Sequence, residues 1–179
     1  MIFRPSSLEG AFLLEPERIE DERGHFARTF SVEDFLANGL DPVVRQGNTS
    51  FNLRAGTLRG MHFQTDPHGE TKLVRCTRGA IFDVIVDLRP ASDTFTGWFG
   101  AELSAANGNQ LFVPVGFAHG FQTLEDESEV AYLMGHDHVP GAGRGVRFDD
   151  PAFGIAWPDP PAGDRTMSDR DRTYPDFAG

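Results

Sequence analysis

The sequence predicts an all-β fold, an antiparallel jelly-roll barrel with one or two short helices and an irregular C-terminal tail. Three observations carry this. Short β-type runs recur roughly every ten residues. Helical signals are confined to one brief stretch. Glycine and proline number 20 and 12 of 179 residues, alongside 16 phenylalanines, which suits strands joined by tight turns better than a helical bundle.

Taken in order, Gly10–Leu14 and His25–Phe30 read as strands flanking a turn-rich acidic stretch that ends in Asp21-Glu22-Arg23-Gly24. Ser31-Val32-Glu33-Asp34 has the form of a capping box and opens a short helix closing near Asn38-Gly39. Strands follow over 43–52, 57–64, 71–78, 80–88, 97–104, 109–113, 117–123 and 129–136. Glycines 56, 79, 100, 108 and 116 fall between runs, as hairpin turns require. Ile81–Leu88 alternates imperfectly and reads as a strand buried on both faces. From about Pro140 the chain turns rich in Pro, Gly and Asp and is expected to cross the barrel as a tail anchored by Trp157. No repeat or linker divides it, so residues 1–179 are expected to form a single domain.

Composition excludes several function classes. Sixteen basic against 27 acidic residues give a net charge of −11, unsuited to sequence-independent nucleic-acid binding, which runs on phosphate neutralisation. No apolar run approaches the roughly 20 residues of a spanning helix, so no membrane partner is expected. Met1–Pro5 lacks the apolar core of a signal peptide. Cys76 is the only cysteine, which excludes disulfide scaffolds and thiolate-cluster zinc sites and makes a reducing cytoplasm the expected compartment. Against the acidic background, residues 54–78 carry Arg54, Arg59, Lys72, Arg75 and Arg78 against Asp66 and Glu70, a local excess suited to a small anion such as a diphosphate. Lys72 is the only lysine in the chain; its ammonium is a compact point charge and a candidate functional cation.

Two stretches could carry chemistry. In Gly56–Gln64, alternation puts Leu58, Gly60, His62 and Gln64 on one face and Arg59, Met61 and Phe63 on the other, and a bend at Gly60 could swing Arg59 toward the first set. In Gly108–Gly120, the spacing G-x5-P-x-G-x2-H resembles the second motif of cupin barrels and points His119 inward. Metal-binding cupins also need a His-x-His pair followed by Glu. Here His62-x-Gln64 and a displaced Glu70 make a poor first-row site, so a metal is not expected. A pair of hydrogen-bonded structural histidines is the plainer alternative.

The run Gln46–Ser50, then RGMHFQ (59–64), KLVR (72–75), FDVIVDLR (82–89), VPVGFAHGFQ (113–122), AYL (131–133), DDP…WP (149–158) and SDRD (168–171) resembles the dTDP-4-dehydrorhamnose 3,5-epimerase family, in order and over roughly Gly10 to Asp171. The resemblance implies a cofactor-independent cupin enzyme acting on a nucleoside-diphosphate 4-keto-6-deoxyhexose. It implies His62 as base, Asp171 as its carboxylate partner, Lys72 opposite the enolate oxygen with Arg59 nearby, and Tyr132 as proton donor on the other face. His119 would line the site. Read without the resemblance, Tyr132 could be a core aromatic and Asp171 a solvated tail residue. The resemblance further implies a homodimer in which Arg23 and Phe26 reach the neighbouring subunit's site. Gln46, Asn48, Arg59 and Arg170 match positions contacting nucleotide or diphosphate. Two substrate-side positions depart from the family: Arg28 replaces Glu, and His138 replaces Tyr. The nucleotide, the sugar, or the choice of C3, C5 or both is therefore open. A metal-dependent cupin oxygenase or isomerase and a non-catalytic sugar-nucleotide-binding module are the rival readings.

Overall fold

A computed structural model describes residues 1–161 and 163–179. In chain order the strands are β1 (Ile2–Pro5), β2 (Phe12–Glu15), β3 (Arg18–Asp21), β4 (Gly24–Ala27), β5 (Gln46–Asn52), β6 (Leu58–Gln64) and β7 (Lys72–Arg78). They continue with β8 (Ala80–Asp87), β9 (Trp98–Ser104), β10 (Gln110–Val113), β11 (Phe117–Thr123), β12 (Ser128–Met134) and β13 (Gly143–Gly145). The helices are α1 (Val32–Ala37) and α2 (Asp169–Arg172). One sheet runs β1-β2-β10-β7-β12-β5 and the other β13-β6-β11-β8-β9, while β3 and β4 form a separate hairpin. Pairing is antiparallel throughout these sheets, a cupin-type jelly roll.

Three apolar clusters explain the burial. Between the sheets, Val74, Cys76, Leu111, Val113 and Val130 meet Ile81, Ile85, Leu103, Phe117 and Phe121. The C-terminal tail covers the outer face of the five-stranded sheet, packing Phe153 and Trp157 against Met61, Val84, Val86 and Ala118. The indole N–H of Trp157 donates to the Phe148 carbonyl at 2.8 Å, so the expected anchor is in place. Over the other sheet, α1 seats Phe35 on Leu14, Leu73 and Phe112. Strand β8 is thus covered on both faces, as its imperfect alternation predicts. The Ser31 hydroxyl caps α1 by accepting the Asp34 N–H, and Gly39 follows at φ +72°.

Most predicted strands lie within two residues of their observed limits, and the exceptions are instructive. Val43 and Val44 have strand propensity but remain exposed; pairing with β12 begins only at Gln46. His25–Phe30 shortens to Gly24–Ala27, and its partner Arg18–Asp21 lies in the acidic stretch read as turn. Strand β13 interrupts the irregular tail because Gly143–Gly145 completes the free edge of β6. Gly100 is no turn residue. It sits inside β9, where a Cβ would lie 2.5 Å from the ring of Phe82. Among the described residues no helix is long and apolar enough to cross a membrane.

Candidate active site

A cavity of about 640 Å³ opens between the sheets. From the five-stranded sheet it takes Arg59 and His62 of β6 and His119 of β11; from the facing sheet, Asn48, Lys72 and Tyr132. The tail closes it with Arg170 and Asp171. A bulge in β6 makes this possible. His62 pairs with His119 and Arg59 with Phe121, so three steps of β6 match two of β11. The bend falls at Gly60, at φ +123°, where a Cβ would stand 2.5 Å from the Gly120 Cα. Strict alternation is thereby broken: Arg59 and His62 both line the cavity, while Met61 packs under the tail.

His62 Nε2 lies 2.7 Å from Asp171 Oδ1, and the Gly60 N–H donates to the other carboxylate oxygen at 3.3 Å. The histidine side chain is 44% exposed, the aspartate 6%. Burial pushes the Asp171 carboxyl up, but the hydrogen bonds from His62 and Gly60 outweigh it and leave it below the usual range. An ionised carboxylate on Nε2 fixes that nitrogen as the protonated one and leaves Nδ1 able to take a proton. Ser168 caps the short α2 and so aims Asp171 inward.

His119 is paired too, through Nε2 to Asp83 Oδ1 at 2.8 Å, but this pair is sealed: the side chains are 5% and 0% exposed. Burial drives the Asp83 carboxyl up, only partly offset by His119 and Lys72. Lys72 Nζ donates to Glu70 Oε1 at 2.5 Å, both groups buried. On the same wall the Tyr132 hydroxyl lies 3.3 Å from Ser50 Oγ, and its ring meets His119 edge-on at 6.1 Å. Burial raises the Tyr132 phenol well above an ordinary tyrosine, so at rest it holds its proton. Arg59 is steadied by donating Nε–H to Asn52 Oδ1 at 2.7 Å.

The basic segment does not act as one anion patch. Of its five cations only Arg59 and Lys72 line the cavity; Arg54 and Arg78 are exposed, and Arg78 pairs with Glu127. Arg170 supplies the further positive charge from the tail. Gln46 and His138 line a neighbouring cavity of about 360 Å³ that shares Asn48 and Met134 with the first. Arg23, Phe26 and Arg28 do not reach either cavity in this chain. The first two stand on the β3–β4 hairpin and Arg28 just beyond it, all exposed.

Sequence reasoning missed Asp83, Ser50, Asn52 and Tyr174, and the pairing of Glu70 with Lys72. Tyr174 packs edge-on to His62 at 6.4 Å and lies 5.8 Å under the Arg170 guanidinium. Asp83 had a legible signal, an acid inside the apolar run of β8. For Ser50, Asn52 and Tyr174 the partners lie on other elements of the fold, so the local sequence gives no such signal.

Comparisons agree with this geometry. The family model described as dTDP-4-dehydrorhamnose 3,5-epimerase matches residues 5–179. The enzyme of that name from Methanothermobacter thermautotrophicus is 46% identical over 173 residues, covering 96% of this chain and 92% of the relative. A crystal structure of dTDP-4-dehydrorhamnose 3,5-epimerase from Elizabethkingia anophelis superposes with a TM-score of 0.94 at 37% identity, covering 99% and 96% of the two chains. That of the Bacillus anthracis enzyme, with TDP and PPi bound, gives 0.92 at 39% identity over 98% and 99%. With the family model matched from residue 5 to residue 179 and relatives more than 35% identical along nearly its whole length, the chain belongs to the dTDP-4-dehydrorhamnose 3,5-epimerase family.

Proposed function

We propose that this protein epimerises a nucleoside-diphosphate 4-keto-6-deoxyhexose, inverting C3, C5 or both through an enolate. The supporting observation is that His62 and Tyr132 stand on facing sheets of one cavity, with Lys72 beside the tyrosine. Inversion needs that arrangement. His62 Nδ1 takes the proton α to the ketone, and the C–H electron pair moves into the carbonyl, leaving negative charge on O4. The Lys72 ammonium offsets that charge. Tyr132 then protonates the same carbon from the opposite face, and the phenolate recovers a proton through the Ser50 hydroxyl or solvent. Asp171 steadies the imidazolium between the two transfers.

Arg59 and Arg170 are suited to the diphosphate, in an otherwise acidic protein. A thymidine nucleotide is the favoured substrate, as in the TDP-bound relative. The hairpin supports a two-fold dimer. A lone two-stranded ribbon is marginal in water, yet β3–β4 exposes 70% of Ile19 and 68% of Phe26, so a neighbouring subunit would cover it and receive Arg23 and Phe26. The buried Cys76 thiol, pushed up to about 11, suits an inert residue in a reducing cytoplasm. One feature favours a second reading at the nucleobase end: Arg28 and His138 could select another base.

The test is hydrogen exchange in deuterated water with dTDP-, CDP- and GDP-linked 4-keto-6-deoxyhexoses. Deuterium entering C3 or C5 with inversion is expected, fastest for the dTDP sugar. Binding without exchange would reject the reading in favour of a sugar-nucleotide-binding module, and faster turnover of another nucleotide would select the second reading.

A further inference from the structure

Glu70 is a buried charge that the proposed chemistry leaves unused. Its Oε1 accepts from Lys72 Nζ at 2.5 Å, while Oε2 is buried with no hydrogen-bond partner. Leaving a carboxylate oxygen unsatisfied in the interior is costly, and a neutral side-chain carbonyl could accept the same bond from Nζ. What the carboxylate adds is charge, delivered to one atom. Glu70 lines the smaller cavity and Lys72 the larger, so the pair forms part of the wall between them, together with Asn48 and Met134. We propose that Glu70 is a positioning residue that keeps Lys72 protonated and aimed into the reaction cavity, so that the enolate-neutralising cation persists into alkaline solution. The inference rests on the function proposed above.

The surroundings support it. Burial pushes the Lys72 ammonium below the usual lysine range, and Glu70 and then Asp83 oppose that. Lys72 pairs across β7 with Val113 of β10 and Met134 of β12, neither of them charged. Facing it from the rest of the cavity are the cations Arg59 and Arg170, the titratable His62, His119 and Tyr132, and the carboxylate of Asp171, itself paired with His62. Asp83 on β8 is already engaged by His119. Glu70 is thus the carboxylate in direct contact with the ammonium. A lysine that loses its proton cannot offset an enolate, so the carboxylate sets the upper pH limit of the reaction.

The single lysine makes this directly measurable. Lysine labelled with 13C at Cε gives one resonance, whose titration reports the charge on Lys72 without any need for turnover. E70Q keeps the shape and removes the charge; E70D keeps the charge on a shorter arm. Expected are a Lys72 titration displaced to lower pH in E70Q and nearer wild type in E70D. The ratio of kcat/KM at about pH 9 to that at about pH 6.5 should fall roughly tenfold in E70Q, with partial rescue in E70D. If E70Q does not fold, E70D carries the test through a smaller displacement of both curves. Superimposable lysine titrations, or pH profiles of the same shape in an active enzyme, overturn the proposal. A displaced titration in a protein that catalyses no exchange overturns the assigned function while leaving the Glu70–Lys72 coupling standing.

Discussion

The barrel holds two histidine–aspartate pairs of nearly equal length, 2.7 Å for His62–Asp171 and 2.8 Å for His119–Asp83. They face each other across one register of β6 and β11. What separates them is solvation. Asp171 gathers enough hydrogen bonds to be held below the usual carboxylate range, and its histidine opens to the cavity. Asp83 is driven up by burial, and its histidine is sealed. A pair that can exchange a proton with a ligand and be re-equilibrated by water suits a base. A pair shut in the interior suits a fixed wall behind Tyr132. Identical side chains thus differ in solvation, because one pair opens to the cavity and the other is shut in the interior.

Replacements at the two pairs should separate the proposed roles, beginning with His62. His62→Ala should lower substrate hydrogen exchange by about 10³-fold or more, and an equal loss in His119→Ala would erase the distinction. Asp171→Asn should cost about 10²-fold, because the neutral amide no longer selects the tautomer that leaves Nδ1 free; single-turnover rates check this. Tyr132→Phe should keep most of the exchange on the His62 face yet slow inversion by about 10²-fold, read from the ratio of deuterium incorporated to product formed.

The smallest effects are on stability, and they have opposite signs. The lowered folded-state value of Asp171 contributes stability that is present above the unfolded value of about 3.9 and disappears as pH falls through the folded value. Asp171→Asn should therefore be less stable than wild type at neutral pH and converge with it in acid. The raised value of Asp83 works the other way. Its contribution is full below about pH 3.9 and fades as pH rises through the folded value. Asp83→Asn, whose amide oxygen can still accept from His119, should lie within about 1 kcal/mol of wild type at neutral pH and lose that part of the pH slope. Urea unfolding across pH reads both. Parallel curves for the two variants would mean that solvation does not distinguish the pairs.

Much of this was legible in the chain. Strand β8 could be placed from its apolar run, α1 from Ser31 and Gly39, and the turn before His119 from Pro114 and Gly116. His62 stood out through the RGMHFQ resemblance and Lys72 as the only lysine. Other features were hidden for physical reasons. The exposed hairpin β3–β4 lacks the alternation that a covered face imposes. The basic segment from Arg54 to Arg78 dispersed because alternation and loop position send neighbouring charges to different surfaces. Ser50 and Asn52 became site residues only through side chains reached from other strands.

Alternation, turn residues and glycine spacing determined the class of fold, because they act between near neighbours and need no knowledge of the rest of the chain. The partnerships belong to the tertiary structure. His62 and Asp171 lie 109 positions apart and His119 and Asp83 lie 36 apart. Which pairs meet depends on sheet order, on a one-residue bulge at Gly60, and on a tail folded back over the barrel. Solvation then decided what each pair could do, since the depth of a carboxylate is a property of everything packed around it.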